Sequence, residues 1–222
     1  MARSLIGGLI ARGADPGAIH IAEPVPTLRE ALAPQAQATK PLVASIAAGI
    51  TAAQLERWLG GDLAVVRTMP NTPTLLGAGV TGLFANARVD AVQKDAVERL
   101  LSSAGATVWI QDEALMDVVT AVSGSGPAYV FLLAEAMQAA GQAQGLPPEV
   151  ARTLTLHTLL GASRMLTEGD ADAAELRRRV TSPGGTTQAA IETFEAGGFR
   201  ELVARAIANA AARGSDLSRA ND

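Results

Sequence analysis

Residues 181–187, with the sequence TSPGGTT, place hydroxyls and glycines directly before an amphipathic helical pattern. Pro183 fixes its own φ angle, and the two glycines after it can take φ angles closed to other residues, so a tight turn is predicted. Either Thr186 or Thr187 can then cap the helix that follows. Backbone N–H groups that converge at such a helix start, with hydroxyls beside them, suit a small carboxylate or phosphate. A capped turn that binds nothing is the alternative, because such turns are common.

Two further motifs are candidates for a ligand site, RTMPNTP at 67–73 and SGSGPAY at 123–129. In the first, Asn71 and Thr72 follow the predicted end of a strand, which is where open α/β sheets bind their ligands. The second combines hydroxyls and backbone freedom at a predicted helix start. Taken alone, the first could equally be a turn that ends a strand, and the second a hinge between helices. Neither motif decides a function by itself.

The composition excludes several kinds of chemistry. The chain of 222 residues has no cysteine, which rules out disulfides, thiolate catalysis and cysteine-ligated zinc. Its two histidines, His20 and His157, are far apart and belong to no ligand spacing such as HExxH, so no metal site is predicted. A net charge of −4 offers no basic footprint for nucleic acid, and no nucleic-acid partner is expected.

The hydropathy pattern predicts a soluble protein. Hydrophobic residues make up 48% of the sequence, which argues against disorder. No apolar run approaches the roughly 18–20 residues of a membrane span, and the basic-then-apolar layout of a signal peptide is missing. We therefore expect a cytoplasmic protein with no membrane partner.

Strand and helix patterns alternate in the first half of the chain. Strands are predicted at 18–23, 41–49, 63–71, 78–86 and 106–110, and helices at 2–12, from Thr51 onward and at 90–104. Because the strands are continuously apolar and alternate with helices, an α/β domain with a largely parallel sheet is predicted over residues 1–111.

From Asp112 onward the pattern is helical throughout. Helices are predicted to start at Asp112, Pro127 and Pro148, to cover 172–179, and to form a pair after the TSPGG turn, with SGSGP interrupting the first of them. An all-α domain is therefore expected over residues 112–222. Its last helix carries a stripe of small and apolar residues that is either core or an oligomer interface: Leu202, Val203, Ala206, Ile207 and Ala210.

In this order and spacing, the segments RTMPNTP, AVSGSGPAYVF and VTSPGGTTQAAIE resemble the pyrroline-5-carboxylate reductase family, as does the α/β-then-helical layout. The resemblance implies reduction of the cyclic imine 1-pyrroline-5-carboxylate to L-proline, the last step of proline biosynthesis, with NADPH or NADH. It also implies a Rossmann-like domain for the cofactor. The helical domain would form a homodimer or a ring of dimers.

Matched to the family's motifs, the TSPGGTT turn would hold the carboxylate and imine of the substrate, with Thr187 as the catalytic hydroxyl nearest the imine nitrogen. The substrate-binding residues implied are Ser182, Gly184, Gly185, Thr186 and Thr187, together with Ser123 and Gly124 near the junction of the two domains. Those bordering the nicotinamide or its ribose are Met69, Asn71, Thr72 and Pro73. Since an iminium carbon is already electrophilic, hydride transfer needs alignment and a carboxylate anchor more than a strong acid.

Two departures from the family's pattern concern the cofactor. The Gly-rich turn that holds a dinucleotide's pyrophosphate would precede the helix at 2–12 and is absent from this sequence, and an internal segment is missing near 27–31. A chain without that turn is expected to bind a dinucleotide poorly. Glu23, at the end of the strand predicted at 18–23, would accept a hydrogen bond from a ribose 2′-hydroxyl and repel a 2′-phosphate, which favours NADH.

Two other functions stay open on the sequence. Another imine- or hydroxyacid-type NAD(P) oxidoreductase would share the layout, although such enzymes rely on a Lys or Asp in the helical domain, and both lysines here, Lys40 and Lys94, lie in the first. A non-catalytic carboxylate-binding module would follow if the dinucleotide domain were truncated.

Overall fold

The structure, a computed structural model, describes residue 10 and residues 26–221, with side chains from residue 32 onward in the longer range. The strand predicted at 18–23 and nearly all of the helix predicted at 2–12 lie outside these residues. Each of the other predicted strands and helices is present, and one more helix precedes them. The elements are α1 (Pro26–Thr39), β1 (Val43–Ser45), α2 (Ala52–Trp58), β2 (Val65–Pro70), a 3-10 turn (Thr72–Leu76), β3 (Gly79–Ala85), α3 (Ala91–Ser102), β4 (Gly105–Trp109), a second 3-10 turn (Glu113–Leu115), α4 (Met116–Val119), a π-helical turn (Thr120–Gly124), α5 (Gly126–Ala143), α6 (Pro148–Glu168), α7 (Ala173–Arg179), α8 (Thr186–Ala196) and α9 (Phe199–Ala220).

The four described strands form one mixed sheet in the order β1-β2-β3-β4. β1 pairs in parallel with β2 and β3 with β4, whereas β2 and β3 run antiparallel. The prediction of an α/β fold with a mostly parallel sheet is therefore confirmed, with one antiparallel pairing. Its cause is local, because a parallel crossover needs about a dozen residues and the connection at 71–78 is too short for one. Gly77, at a left-handed φ of 68°, ends the 3-10 turn in that connection.

β2 is buried along its whole length, since helices pack on both faces of the sheet. On one face, Val66 packs in a cluster with Val97 of α3. On the other face, Val65 packs with Ala36 of α1 and Ala52 of α2. The continuous apolar run in this strand was the sequence signal for burial on two sides. A strand held in this way gives the residues at its carboxyl end a fixed position.

Residues 113–143 form one continuous helix, although SGSGP was predicted to interrupt it. The predicted start is confirmed, because the Asp112 side chain caps the first turn. At the predicted break the chain forms the π-helical turn, in which Ser125 N donates to Thr120 O at 2.8 Å. The wider turn admits the extra residue without breaking the helix, and Pro127, which lacks an N–H, falls in the first turn of α5.

By length and composition alone, this helix could cross a membrane, contrary to the expectation that no apolar run is long enough. Its first half is nevertheless folded into the protein, since Met116 and Ala121 are 1% and 0% exposed. The apolar side chains of its second half include Phe131 and Leu132, which are exposed on a single chain. The sequence pattern missed this helix because it divided the apolar run at the glycines.

The described residues divide into two compact units, and the division differs from the predicted boundary at 111/112. The first unit joins the described residues up to Pro127 with those from Ile207 onward. The second unit covers Ala128–Ala206 and is entirely helical. The start of the long helix and the end of α9 thus belong with the sheet rather than with the helical unit.

The end of α9 joins the first unit through hydrogen bonds to α2 and to the loop before it. Thr51 and Gln54 form a reciprocal cap at the start of α2, as the sequence predicts for Thr51. Gln54 Nε2 also donates to Ser218 O at 2.8 Å, and Asn221 Nδ2 lies 3.4 Å from Gly49 O. The periodicity of α9 shows which face is apolar but cannot show that its last turns pack against a helix near the start of the chain.

Candidate active site

The TSPGGTT stretch forms the predicted tight turn between α7 and α8. Gly185 N donates to Ser182 O at 3.0 Å, which closes a four-residue turn around Pro183 and Gly184. Gly184 has a φ of 68°, the left-handed value that a type II turn requires after a proline in its second position. A residue with a Cβ would be strained there, which explains the glycine.

The helix after the turn is capped by Gly185, so the prediction that Thr186 or Thr187 caps it is wrong. The helix begins at least one residue earlier than the sequence pattern indicated, so both threonines fall inside the first turn of α8. Gly185 has no side chain that could accept from the helix start. Within the described part of the chain, the N–H groups of Thr186, Thr187 and Gln188 have no hydrogen-bond partner, and neither have the threonine hydroxyls. The helix start therefore presents free donors, which suit an anion.

The two glycines give the turn its shape, but their N–H groups are occupied. Gly184 N donates to Gln188 Oε1 at 2.7 Å, and Gly185 N closes the turn. Of the predicted substrate-binding residues, these two have no free backbone donor, whereas Ser182, Thr186 and Thr187 keep free hydroxyls. Gln188 was not selected from the sequence. The signal that could have found it is its place three residues after the cap, where a capping-box glutamine stands.

A charged network links the three helices around the turn. Arg200 of α9 contacts both carboxylate oxygens of Glu195 on α8, with Nε and Nη2 at 2.8 to 3.0 Å. Arg177 of α7 adds a contact of 3.3 Å to the same carboxylate. The hydrogen bond from Arg200 holds the pKa of Glu195 below its ordinary value. Because these side chains are at least 40% exposed, the network fixes the relative positions of the helix ends more than it adds stability.

In the first unit, the structure brings Met69 and Gly124 together. Met69 is 6% exposed at the end of β2, and a Cβ on Gly124 would lie 3.5 Å from its Sδ. Gly124 belongs to the π-helical turn, a distortion that is frequent at functional sites. Ser123 precedes it, but the Ser123 hydroxyl donates to Val119 O at 2.9 Å. Ser123 was predicted to bind the substrate, and its hydroxyl proton is used within the helix.

Asn71 follows β2 and is buried with one donor group left over. Its Oδ1 accepts from Val80 N at 3.0 Å, and its backbone oxygen accepts from Thr74 Oγ1 at 2.8 Å, which fixes the loop against β3. Its Nδ2 has no partner among the described residues, although Asn71 is only 8% exposed. Buried donors in proteins normally have an acceptor. A donor left over at the carboxyl end of a sheet strand fits an oxygen of a nicotinamide or its ribose.

The remaining predicted cofactor residues are placed as follows. Thr72 is exposed and Pro73 is half-buried, both at the start of the 3-10 turn after β2. Glu23 lies outside the described residues. His157 is exposed on α6, and within the described ranges no group of His, Cys, Asp and Glu side chains could hold a metal ion.

A buried ion pair fixes the strand that carries Met69. Arg67 is 4% exposed, and its Nη1 donates to Glu113 Oε1 at 2.9 Å. The same oxygen accepts from Ala52 N, at the start of α2, at 2.7 Å. One carboxylate thereby ties together β2, α2 and the helix that begins at 113. Neither charged residue was selected from the sequence. An arginine within an apolar strand is the signal that could have found the pair, because a buried cation needs a partner.

Comparison with known proteins finds the family that the three sequence motifs resemble, and the match extends along the chain. Residues 113–217 match the family model described as pyrroline-5-carboxylate reductase dimerisation. The pyrroline-5-carboxylate reductase of Pseudomonas aeruginosa is 48% identical over 255 aligned positions, which cover 98% of this chain and 93% of that protein. That of Synechocystis is 41% identical over 182 positions, covering 82% of this chain and 67% of that protein. The 255 positions of the first alignment exceed the 222 residues of the chain, so the relative has residues that this chain lacks.

Solved structures agree with the sequence comparison. A pyrroline-5-carboxylate reductase from Coxiella burnetii superimposes with a TM-score of 0.89 at 38% identity, covering 98% of this chain and 94% of that one. The Plasmodium falciparum pyrroline carboxylate reductase, solved with NADP bound, gives a TM-score of 0.86 at 27% identity, covering 98% and 96%.

We expect Glu113→Ala to destabilise the protein more than Arg67→Met. The first change leaves the buried Arg67 guanidinium, which cannot lose its proton, without its counterion, and it also leaves Ala52 N without its acceptor. The second change leaves an unpaired carboxylate that is 26% exposed and can be hydrated. Losses of about 3–5 kcal/mol and about 1–3 kcal/mol in the free energy of unfolding are expected, respectively. Urea unfolding of both single variants and of the double variant measures these costs. Equal costs for the two single changes would contradict this account of the pair.

Proposed function

We propose, from the premise that this chain belongs to the pyrroline-5-carboxylate reductase family, that it reduces 1-pyrroline-5-carboxylate to L-proline with NAD(P)H in proline biosynthesis. The observation that carries the proposal is the start of α8. Its first three N–H groups have no partner in residues 26–221, because Gly185 caps the helix without a side chain, and the hydroxyls of Thr186 and Thr187 have none there either. A small imino acid carries the carboxylate that these donors suit.

The reaction needs the substrate carboxylate to be anchored and the imine carbon to be aligned with the hydride donor. We assign the carboxylate to the N–H groups at the start of α8 and to the hydroxyls of Ser182 and Thr186. The Thr187 hydroxyl lies nearest the ring nitrogen and accepts a hydrogen bond from the protonated imine. When bound, the reduced nicotinamide supplies the hydride that adds to the imine carbon. The nitrogen keeps its proton and becomes the amine of proline, so the site needs orientation rather than a strong acid or base.

We assign the nicotinamide end of the cofactor to Met69, Asn71, Thr72 and Pro73, and we assign Ser123 and Gly124 to the substrate. Support comes from the buried Nδ2 of Asn71, which has no partner in the described part of the chain, and from the close approach of Met69 and Gly124. The family uses NAD(P)H, and the Plasmodium falciparum relative was solved with NADP. For this chain we propose that NADH serves at least as well as NADPH, since a carboxylate at Glu23 would repel a 2′-phosphate.

The full chain should oxidise NADH or NADPH only when pyrroline-5-carboxylate is supplied. Loss of absorbance at the nicotinamide band, followed with each cofactor in turn, measures both the activity and the preference. Glu23→Ser should shift the ratio of kcat/KM values toward NADPH. Absence of substrate-dependent oxidation with either cofactor would refute the proposed reaction, and a strong native preference for NADPH would refute the role of Glu23.

Thr187→Ala removes a hydroxyl that has no partner among the described residues, so activity should fall while stability is kept. We expect kcat/KM for pyrroline-5-carboxylate to fall roughly tenfold to a hundredfold, as for a lost hydrogen bond to a charged group. Thr193→Ala is the matched control on the same helix, because the Thr193 hydroxyl donates to Ala189 O at 2.9 Å. Steady-state kinetics and melting temperatures of both variants test this. Wild-type kinetics in Thr187→Ala would exclude a substrate contact.

We propose that the second unit forms a homodimer, and that dimers assemble further into a ring. The family model matched at 113–217 is that of the dimerisation region. Of the stripe on α9, Leu202, Val203 and Ala206 are exposed on a single chain, which favours an interface over core. Exposed apolar surface of this extent needs a partner. We assign the apolar second half of the helix at 113–143 to the same interface rather than to lipid, and place the enzyme in the cytoplasm.

Ala206→Glu should weaken association, because it places a charge on a packed seam. Ala204→Glu is the matched control: it adds the same charge two residues earlier, which is the opposite face of the helix. Sedimentation at micromolar concentration should show a dimer or larger species for the wild type and Ala204→Glu, and smaller species for Ala206→Glu. A monomeric wild type would refute the proposed assembly.

A further inference from the structure

Gln188 is the one side chain that binds the TSPGGTT turn from within α8 in the described structure. Its Oε1 accepts from Gly184 N at 2.7 Å, and its Nε2 donates to Glu192 Oε1, one helical turn later, at 2.6 Å. The two bonds fix which end of the amide faces the turn, because only the oxygen accepts and only the nitrogen donates. Gln188 is half-buried, and these two bonds, both open to solvent, hold its amide in place.

The arrangement is half of a capping box. In a complete box, the cap side chain accepts from the N–H three residues later, while the side chain at that later position reaches back to the cap backbone. Gln188 supplies the second half, displaced by one residue to Gly184. The first half is absent because the cap is Gly185. The turn is thereby held to the helix without occupying any N–H group of the first helical turn.

We propose that Gln188 is a positioning residue that fixes the turn while keeping the carboxylate site free of negative charge. The inference rests on the proposed function and concerns the substrate's anionic group. A glutamate at this position could accept from Gly184 N equally well, and capping boxes commonly use one. Its charge would stand within one helical turn of the substrate carboxylate and of Glu192. The neutral amide performs the same structural task without opposing the anion.

Gln188→Glu separates the two tasks of the residue. We expect the variant to fold and to bind its nicotinamide cofactor as the wild type does, while KM for pyrroline-5-carboxylate rises about a hundredfold at low salt, as two like charges about 6 Å apart near a protein surface would cause. Because the repulsion is between partly exposed charges, raising the ionic strength should reduce the KM ratio of variant to wild type. Ala190→Glu adds the same charge to an exposed position on α8 and should leave KM unchanged.

Gln188→Met tests the structural task alone, since it keeps the size and neutrality of the side chain and loses the acceptor for Gly184 N. We expect a lower melting temperature and a loss of activity whose ratio to wild type does not depend on salt. A merely structural role predicts that Gln188→Glu, which keeps an acceptor for Gly184 N, is unchanged in every kinetic constant. That result, or the same salt-independent loss in both variants, would overturn the proposal.

Equilibrium binding of L-proline, measured by calorimetry, gives a comparison that does not need turnover. The carboxylate of proline should bind the wild type more tightly than Gln188→Glu at low salt, and the difference should shrink at high salt. If the wild type reduces no pyrroline-5-carboxylate but this difference is found, the proposed reaction fails and the role of Gln188 stands. If the wild type is active and both proteins bind proline equally, the reaction stands and the role of Gln188 fails.

Discussion

Three backbone N–H groups at the start of α8 have no acceptor among the residues that the structure describes, and the arrangement of the turn follows from this constraint. A side chain at the cap would satisfy one of them, so the cap is a glycine. The turn must then be held by something other than the cap, which is the task of Gln188 and of its own internal bond from Gly185 to Ser182. The helix lacks the stability that a side-chain cap would add, and its free N–H donors can instead bind an anionic substrate.

A second fixed point organises the sheet unit. The Glu113 carboxylate binds a buried guanidinium and a helix N–H at once, so three elements share one acceptor. This is a costly arrangement in isolation, because both ions lose water on folding. It fixes the end of β2, and the two residues that we assign to the nicotinamide, Met69 and Asn71, follow Arg67 by two and four positions. The positions of these residues thus depend on a contact between segments 46 positions apart in the chain.

Much of the fold could be predicted because its signals are local. Thr51 caps α2 and Asp112 caps the long helix where hydroxyl and carboxylate residues precede helical patterns. The apolar runs mark all four described strands, and the three motifs mark the family. The features that could not be predicted depend on contacts between distant segments or on shifts of a single residue. The cap at Gly185 rather than Thr186 is a shift by one position, and the π-helical turn absorbs a break that glycines would ordinarily make.

The contacts of α9 with the loop before α2 have a consequence for the order in which the molecule is made. A chain emerging from the ribosome folds its first segments first. Here the acceptor for Gln54 is the backbone oxygen of Ser218, and Gly49 lies against Leu217. The sheet unit therefore lacks part of its own surface until residues 217 and 218 have left the ribosome, and it cannot complete its folding before then. For the same reason, a change in the chain near residue 218 affects the unit that holds the four described strands.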